Sequence, residues 1–132
     1  TLLLEEALHL RRGDVGEDNL VGGSLSCGLG HDAPNGNEYR DASAGAIMAS
    51  AFVELSGFAT DEKARQNYLS IAEKQLRTLA SSHYLAEPGT NCNFILKHSV
   101  GNLPEKSEVD VPLSYADYYF LEALLRYKKA MG

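Results

Sequence analysis

The sequence holds only two cysteines, Cys27 and Cys92, in different segments and with neither CxxC nor Cys/His spacing. A zinc site of the usual kinds is thereby excluded, while a disulfide and a pair of unrelated thiols both stay open. Basic runs are missing too. The densest basic spot is Lys128-Lys129, at the end of a helical pattern where two cations suit the helix dipole, and the net charge is −6. Nothing here neutralises successive phosphates, so nucleic acid is not expected as a partner. No apolar run approaches the ~20 residues that span a bilayer, and no membrane association is expected. Thr1 does not open a charged region followed by an apolar stretch, so no signal peptide is visible. The compartment, cytoplasmic or periplasmic, stays open. Gly28-Leu29-Gly30 has no strand before it and never completes GxGxxG. No cofactor is expected, and no metal.

What is present is globular in character. The 132 residues, 44% hydrophobic and 23% charged, suffice to bury one core. Residues 2–12 read as a short helix with Leu3, Leu4, Ala7 and Leu8 on one face, stopped by Gly13. Residues 13–37 are glycine-rich and aperiodic, a long loop. Residues 41–55 (DASAGAIMASAFVEL) form a helix apolar nearly all round, ended by Gly57. Such a helix is expected to be enclosed by others. Thr60 is expected to cap a second, antiparallel helix, with Asp61 and Glu62 favouring its first turn. Its apolar positions are Ala64, Tyr68, Ile71, Ala72, Leu76 and Leu79, with Arg65, Glu73, Lys74 and Arg77 toward water. It should be half exposed.

Pro88-Gly89 signals a turn, 93–98 is extended or a short helix, and 101–112 is a loop with two prolines. A last helix starts at Ser114, where Ser114 and Asp117 have the spacing of a capping box, and Lys128-Lys129 finish it. No convincing strand is found, and the fold class is all-α. Alternating enclosed and outward helices suit a toroid of antiparallel helical hairpins, and a plain bundle equally.

Two stretches carry a family resemblance: 40–47 (RDASAGAI) and 96–126 (LKHSVGNLPEKSEVDVPLSYADYYFLEALLR). Both resemble the unsaturated glucuronyl hydrolases, glycoside hydrolase family eighty-eight, near that family's C-terminus. The resemblance covers 38–129 and maps to roughly the last quarter of a full-length member. It implies part of an (α/α)6 toroid. It also implies action on unsaturated uronic-acid oligosaccharides made by polysaccharide lyases. The family protonates the C4=C5 bond, adds water at C5 and releases the neighbouring sugar as the hemiketal collapses. Carboxylate spacing does not predict the outcome of such a reaction as it does for ordinary glycosidases. The family's Trp-Asp-Phe-Asp-Ala-Pro is reduced here to Asp32-Ala33-Pro34, and the chain has no tryptophan. Residues 1–37 are therefore read as a poorly matching leader, and 38–132 as the C-terminal hairpins. The family's catalytic aspartates lie upstream of the matched region, and nothing before Glu38 looks like them. No catalytic residue is assigned, and the chain alone is expected to be inactive.

Five residues are candidates for substrate binding: Asp41, His98, Ser99, Asn102 and Asp117. Asp41 and Asp117 stand at helix starts, where capping and dipole stabilisation explain them more simply. His98 and Ser99 begin the loop that, by resemblance, rims the substrate entrance. Some family members use Ser-x-x-Ser-x-Lys there for sulfated substrates. Here 102–107 lacks both serines at that spacing and Glu105 would repel sulfate, so no preference for sulfated fragments is expected. Tyr115, Tyr118, Tyr119 and Phe120 serve either as a sugar-stacking face or, more simply, as core. Two functional readings result. One is part of an unsaturated uronyl hydrolase, lacking an N-terminal portion. The other is a non-catalytic helical remnant that forms homo-oligomers because its apolar helix is left uncovered.

Overall fold

A computed structural model describes residues 40–132. The expected helix at 2–12, the loop at 13–37, Cys27 and Asp32 lie outside the described residues. Three helices carry the body: α1 (Ala42–Phe58), α2 (Glu62–Leu79) and α3 (Ser114–Met131). Between α2 and α3 comes an antiparallel hairpin of β1 (Ser99–Asn102) and β2 (Ser107–Val111).

α1 packs against both α2 and α3 through small residues. Ala42, Gly45, Ala46, Ala49, Ser50, Val53 and Ser56 are buried, so neighbouring backbones come close. The expectation of enclosure on every side is met on that face alone. Ile47 is 40% exposed, Leu55 45% and Phe58 76%, because α2 and α3 cover only part of the helix circumference. α1 also continues past Gly57 to Phe58, with Ala59 as its C-cap. The cap of α2 is Asp61 rather than Thr60: the Asp61 carboxylate accepts from Ala64 N–H at 3.0 Å. α2 buries Leu69, Ala72, Leu76 and Leu79, leaving Ala64, Tyr68 and Ile71 half-buried, and is half exposed as expected. Arg77 pairs with Glu73 at 2.8 Å along its outer side.

The core centres on Phe120 of α3, fully buried with Leu76, Leu79, Leu96 and Leu124. Burying such side chains supplies roughly 1.5–3 kcal/mol each. Of the aromatic run on α3, Phe120 is core and Tyr119 half-buried, whereas Tyr115 and Tyr118 are exposed. Across the α1–α3 contact Ser50 donates to Glu122 at 2.7 Å and Arg126 donates to Glu54 at 2.8 Å.

Beyond α2 the chain doubles back. Leu85 bridges Leu96, Ala86 N–H donates to Ile95 O and Lys97 N–H to Tyr84 O. Pro88-Gly89 turns as expected, with Gly89 at φ +79°. A single 3-10 turn follows at Asn91–Asn93, and its three residues all have positive φ. Cys92 in that turn is exposed, its thiol free.

The hairpin corrects the expectation of a loop across 101–112. Pro104 sits in the turn, where Lys106 N–H donates to Leu103 O, and Pro112 follows β2. Neither proline interrupts a strand, so neither prevents pairing.

Candidate functional site

The rim of the molecule is the stretch from Ile95 to Val111, laid across the starts of α1 and α3. Two carboxylates hold it there. Asp41 is the N-cap of α1; its Oδ1 accepts from Ser43 N–H at 2.9 Å and Ser43 Oγ at 2.6 Å. The same oxygen accepts from Val100 N–H at 3.1 Å, and Ala42 N–H donates to His98 O at 3.0 Å. Asp41 is therefore a cap that also ties β1 to the helix.

Asp117 does something the capping-box reading did not anticipate. α3 is preceded by Leu113 as N-cap, with no side-chain cap bond, so the expected box is not formed. Instead the Asp117 carboxylate accepts from Ile95 N–H at 2.8 Å and Leu96 N–H at 2.9 Å, more than twenty residues away in sequence. Burial pushes its carboxyl above the ordinary value, against the opposing pull of those two N–H groups. Both oxygens are turned onto backbone.

His98 and Ser99, neighbours in sequence, point to different places. His98 Nδ1 lies 2.5 Å from Asp110 Oδ1, and its ring meets Tyr84 edge to face at 6.2 Å between centroids. Both members of the pair are open to solvent, 46% and 53% exposed. Ser99 is fully buried, and its Oγ has no hydrogen-bond partner among the described residues. Asn102 ends β1 and its Oδ1 accepts from Glu105 N–H at 3.4 Å, a turn contact. Asp41, His98, Ser99 and Asp117 thus converge on one short segment, while Asn102 belongs to the hairpin turn.

Sequence reasoning missed Asp110 and Tyr84. Asp110 stands within the matched stretch, yet no spacing rule pairs it with His98, because the pairing depends on a bulge in the hairpin. Among the described residues no group of three or more His, Cys, Asp or Glu could hold a metal ion. No described helix is long and apolar enough to cross a membrane.

No family model matches the sequence. A curated relative, an unsaturated glucuronyl hydrolase from Formosa agariphila, is 47% identical over 95 residues, which cover 72% of this chain and 22% of that protein. A crystal structure of an unsaturated glucuronyl hydrolase specific for heparin superposes with a TM-score of 0.70 at 54% identity, covering 74% of this chain and 26% of that one. The chain is related to the unsaturated glucuronyl hydrolases. It spans about a quarter of the length of these relatives, as the resemblance implied. Its packed helices match part of the α/α toroid of that unsaturated glucuronyl hydrolase structure. The small hairpin does not alter that class; it lies between two toroid helices.

Proposed function

We propose that this chain supplies closing helices and a stretch of cleft rim to an unsaturated glucuronyl hydrolase. Such an enzyme hydrates the C4=C5 bond of an unsaturated uronic acid at the non-reducing end of an oligosaccharide. The proton donor then comes from outside residues 40–132. One observation carries this division of labour: Asp117 spends both carboxylate oxygens on backbone N–H groups, and Asp41 spends Oδ1 on the Ser43 and Val100 N–H groups. A general acid must present its proton to the reacting carbon, within hydrogen-bond reach. The bonds of these two run the other way, accepting hydrogens from the fold. In this role Asp41 and Asp117 act on substrate through the segment they hold, while His98, Ser99 and Asn102 lie in or beside the rim that faces the sugar.

The test is loss of the C4=C5 absorbance of an unsaturated uronyl disaccharide. The chain alone should leave it unchanged. Co-expression with the remaining segment of the Formosa agariphila enzyme should restore turnover. Turnover by the chain alone, abolished by Asp117→Asn or Asp41→Asn, would put the acid in the part assigned here to scaffold.

A second reading has its own observation. Among the described residues Ile47, Leu55, Phe58, Tyr118, Leu125 and Met131, all on α1 and α3, are exposed, and apolar surface of this kind favours association where it is contiguous. Self-association of a non-catalytic chain would cover it. Light scattering should then show an oligomer, and a stable monomer at micromolar concentration would remove this reading.

A further inference from the structure

The hairpin contains one irregularity, and it falls beside His98. Ser99 pairs with Val111 and Val100 with Val109, so Asp110 is the extra residue of a bulge. Asp110 has φ +58° and His98 has φ +63°, both in the left-handed region. Both residue types enter that region more readily than most, yet non-glycine residues there are uncommon. Bulges re-aim side chains, and non-glycine residues persist in this region only when the surroundings hold them there. Here the re-aimed group is the Asp110 carboxylate, brought to His98 Nδ1. Tyr84, itself buried, closes the ring from the side.

Two residues in the left-handed region, one just before β1 and one within β2, meeting at an exposed edge, do more than a hairpin staple requires. A carboxylate only accepts, so in the neutral ring Nδ1 must carry the hydrogen. Nε2 is then left with its lone pair and without a hydrogen. We propose that Asp110 is a positioning residue that fixes His98 as the Nδ1–H tautomer, so that Nε2 accepts from a hydroxyl of the sugar chain at the rim. This rests on the proposed function for its ligand, and on the hairpin geometry alone for its tautomer. An acceptor nitrogen selects a hydroxyl donor. It does not select the uronate carboxylate or a sulfate, neither of which has a hydrogen to give at neutral pH.

The experiment uses the full chain labelled with 15N at histidine, at about pH 8, above the ordinary histidine value of about 6.5. Two-bond 1H–15N correlations report which ring nitrogen is protonated, and His98→Gln assigns the signal among the four histidines. His98 should show a protonated Nδ1. Asp110→Ala should return it to the Nε2–H form that free histidine prefers, and Asp110→Asn, whose amide oxygen still accepts, should restore Nδ1–H. Unchanged hairpin amides in both variants separate this from unfolding. A protonated Nε2 in the unaltered chain would overturn the assignment.

Titration with an unsaturated uronyl disaccharide should move the Nε2 signal in the unaltered chain and in Asp110→Asn. Binding should be roughly fivefold to tenfold weaker in Asp110→Ala, the size of one net hydrogen bond. The expected tautomer with no disaccharide response overturns the ligand role and leaves His98–Asp110 a staple. If the reconstituted enzyme nonetheless turns over, the proposed function stands and only this inference falls.

Discussion

Among the described residues four buried serines divide between two regions. In the helical body, Ser43 donates to Asp41, Ser50 to Glu122 and Ser56 to the Val53 carbonyl. In the rim, Ser99 is just as inaccessible and its hydroxyl has no partner among the described residues. The three body serines follow the ordinary rule that buried polar groups are satisfied, although Gln75 Oε1 on α2 and Ser81 Oγ just beyond it have no partner among the described residues. The rim departs from it and adds positive φ at His98, Lys106, Glu108 and Asp110. The body is held by contact between small apolar faces. The rim is held by a few charged hydrogen bonds to backbone, at Asp41 and Asp117. Damage to the first should therefore unfold the chain, and damage to the second should loosen one edge.

The largest effect should come from the centre of the body. Phe120→Ala removes a fully buried ring and should lower unfolding stability by about 3–5 kcal/mol in denaturant titration. A loss confined to rim probes would break the comparison.

Next comes Asp117→Ala, which strands two N–H groups. A loss of about 1.5–3 kcal/mol is expected, with amide exchange faster at Ile95 and Leu96 than anywhere in α2. Acidity sharpens it. Because the folded-state value of Asp117 is raised, its titration contributes stability that is full below the unfolded value of about 3.9 and lost as pH rises through the folded one. The stability of the unaltered chain relative to Asp117→Asn should therefore increase as pH falls through the carboxylate range. A relative decrease would mean that the two N–H groups outweigh burial.

Two serines give the smaller effects. Ser50→Ala removes a bond to the Glu122 carboxylate and should lose about 1–2 kcal/mol. Ser99→Ala removes a hydroxyl with no partner among the described residues and should stay within about 0.5 kcal/mol of the unaltered chain. Equal losses at both positions would erase the distinction between body and rim.

Periodicity made the body readable. Ala42, Ala46, Ala49 and Val53 repeat at helical spacing and are buried in one stripe, and Ala72, Leu76 and Leu79 do the same on α2. Exposure of Ile47 and Leu55 was not readable from α1 itself, because the pattern states which residues want burial and not how many partners are at hand. The rim was less legible. Its strands, SVGN and SEVDV, have little of the β-branched alternation that marks a strand, and the two prolines frame the hairpin instead of interrupting it. Asp117 was legible as an acid in a first turn, where the dipole favours it. Its bonds to Ile95 and Leu96 are long-range contacts that local spacing does not encode. The family resemblance singled out the stretch that contains His98, and the pairing of His98 with Asp110 is a feature of the folded hairpin alone.

The left-handed turn at Asn91–Asn93 is closed by backbone bonds from Asn93 N–H to Thr90 O and Phe94 N–H to Asn91 O, and tied onward by the Asn91 side-chain amide, which donates to Phe94 O at 3.2 Å and Leu96 O at 3.0 Å. Residues 87–90 before it are exposed, the kind of loop tip that proteases favour. Yet no lysine or arginine occurs between Arg77 and Lys97, and Glu87 is followed by Pro88. Trypsin has no bond to cut there, and an enzyme that cuts after glutamate is blocked by the proline. Lys97 is partly covered, with its ammonium on Ser82 O. Between α2 and α3, the first tryptic nick therefore falls to Lys106, at the hairpin turn, and the digestion rate there becomes a clock for how often the rim opens.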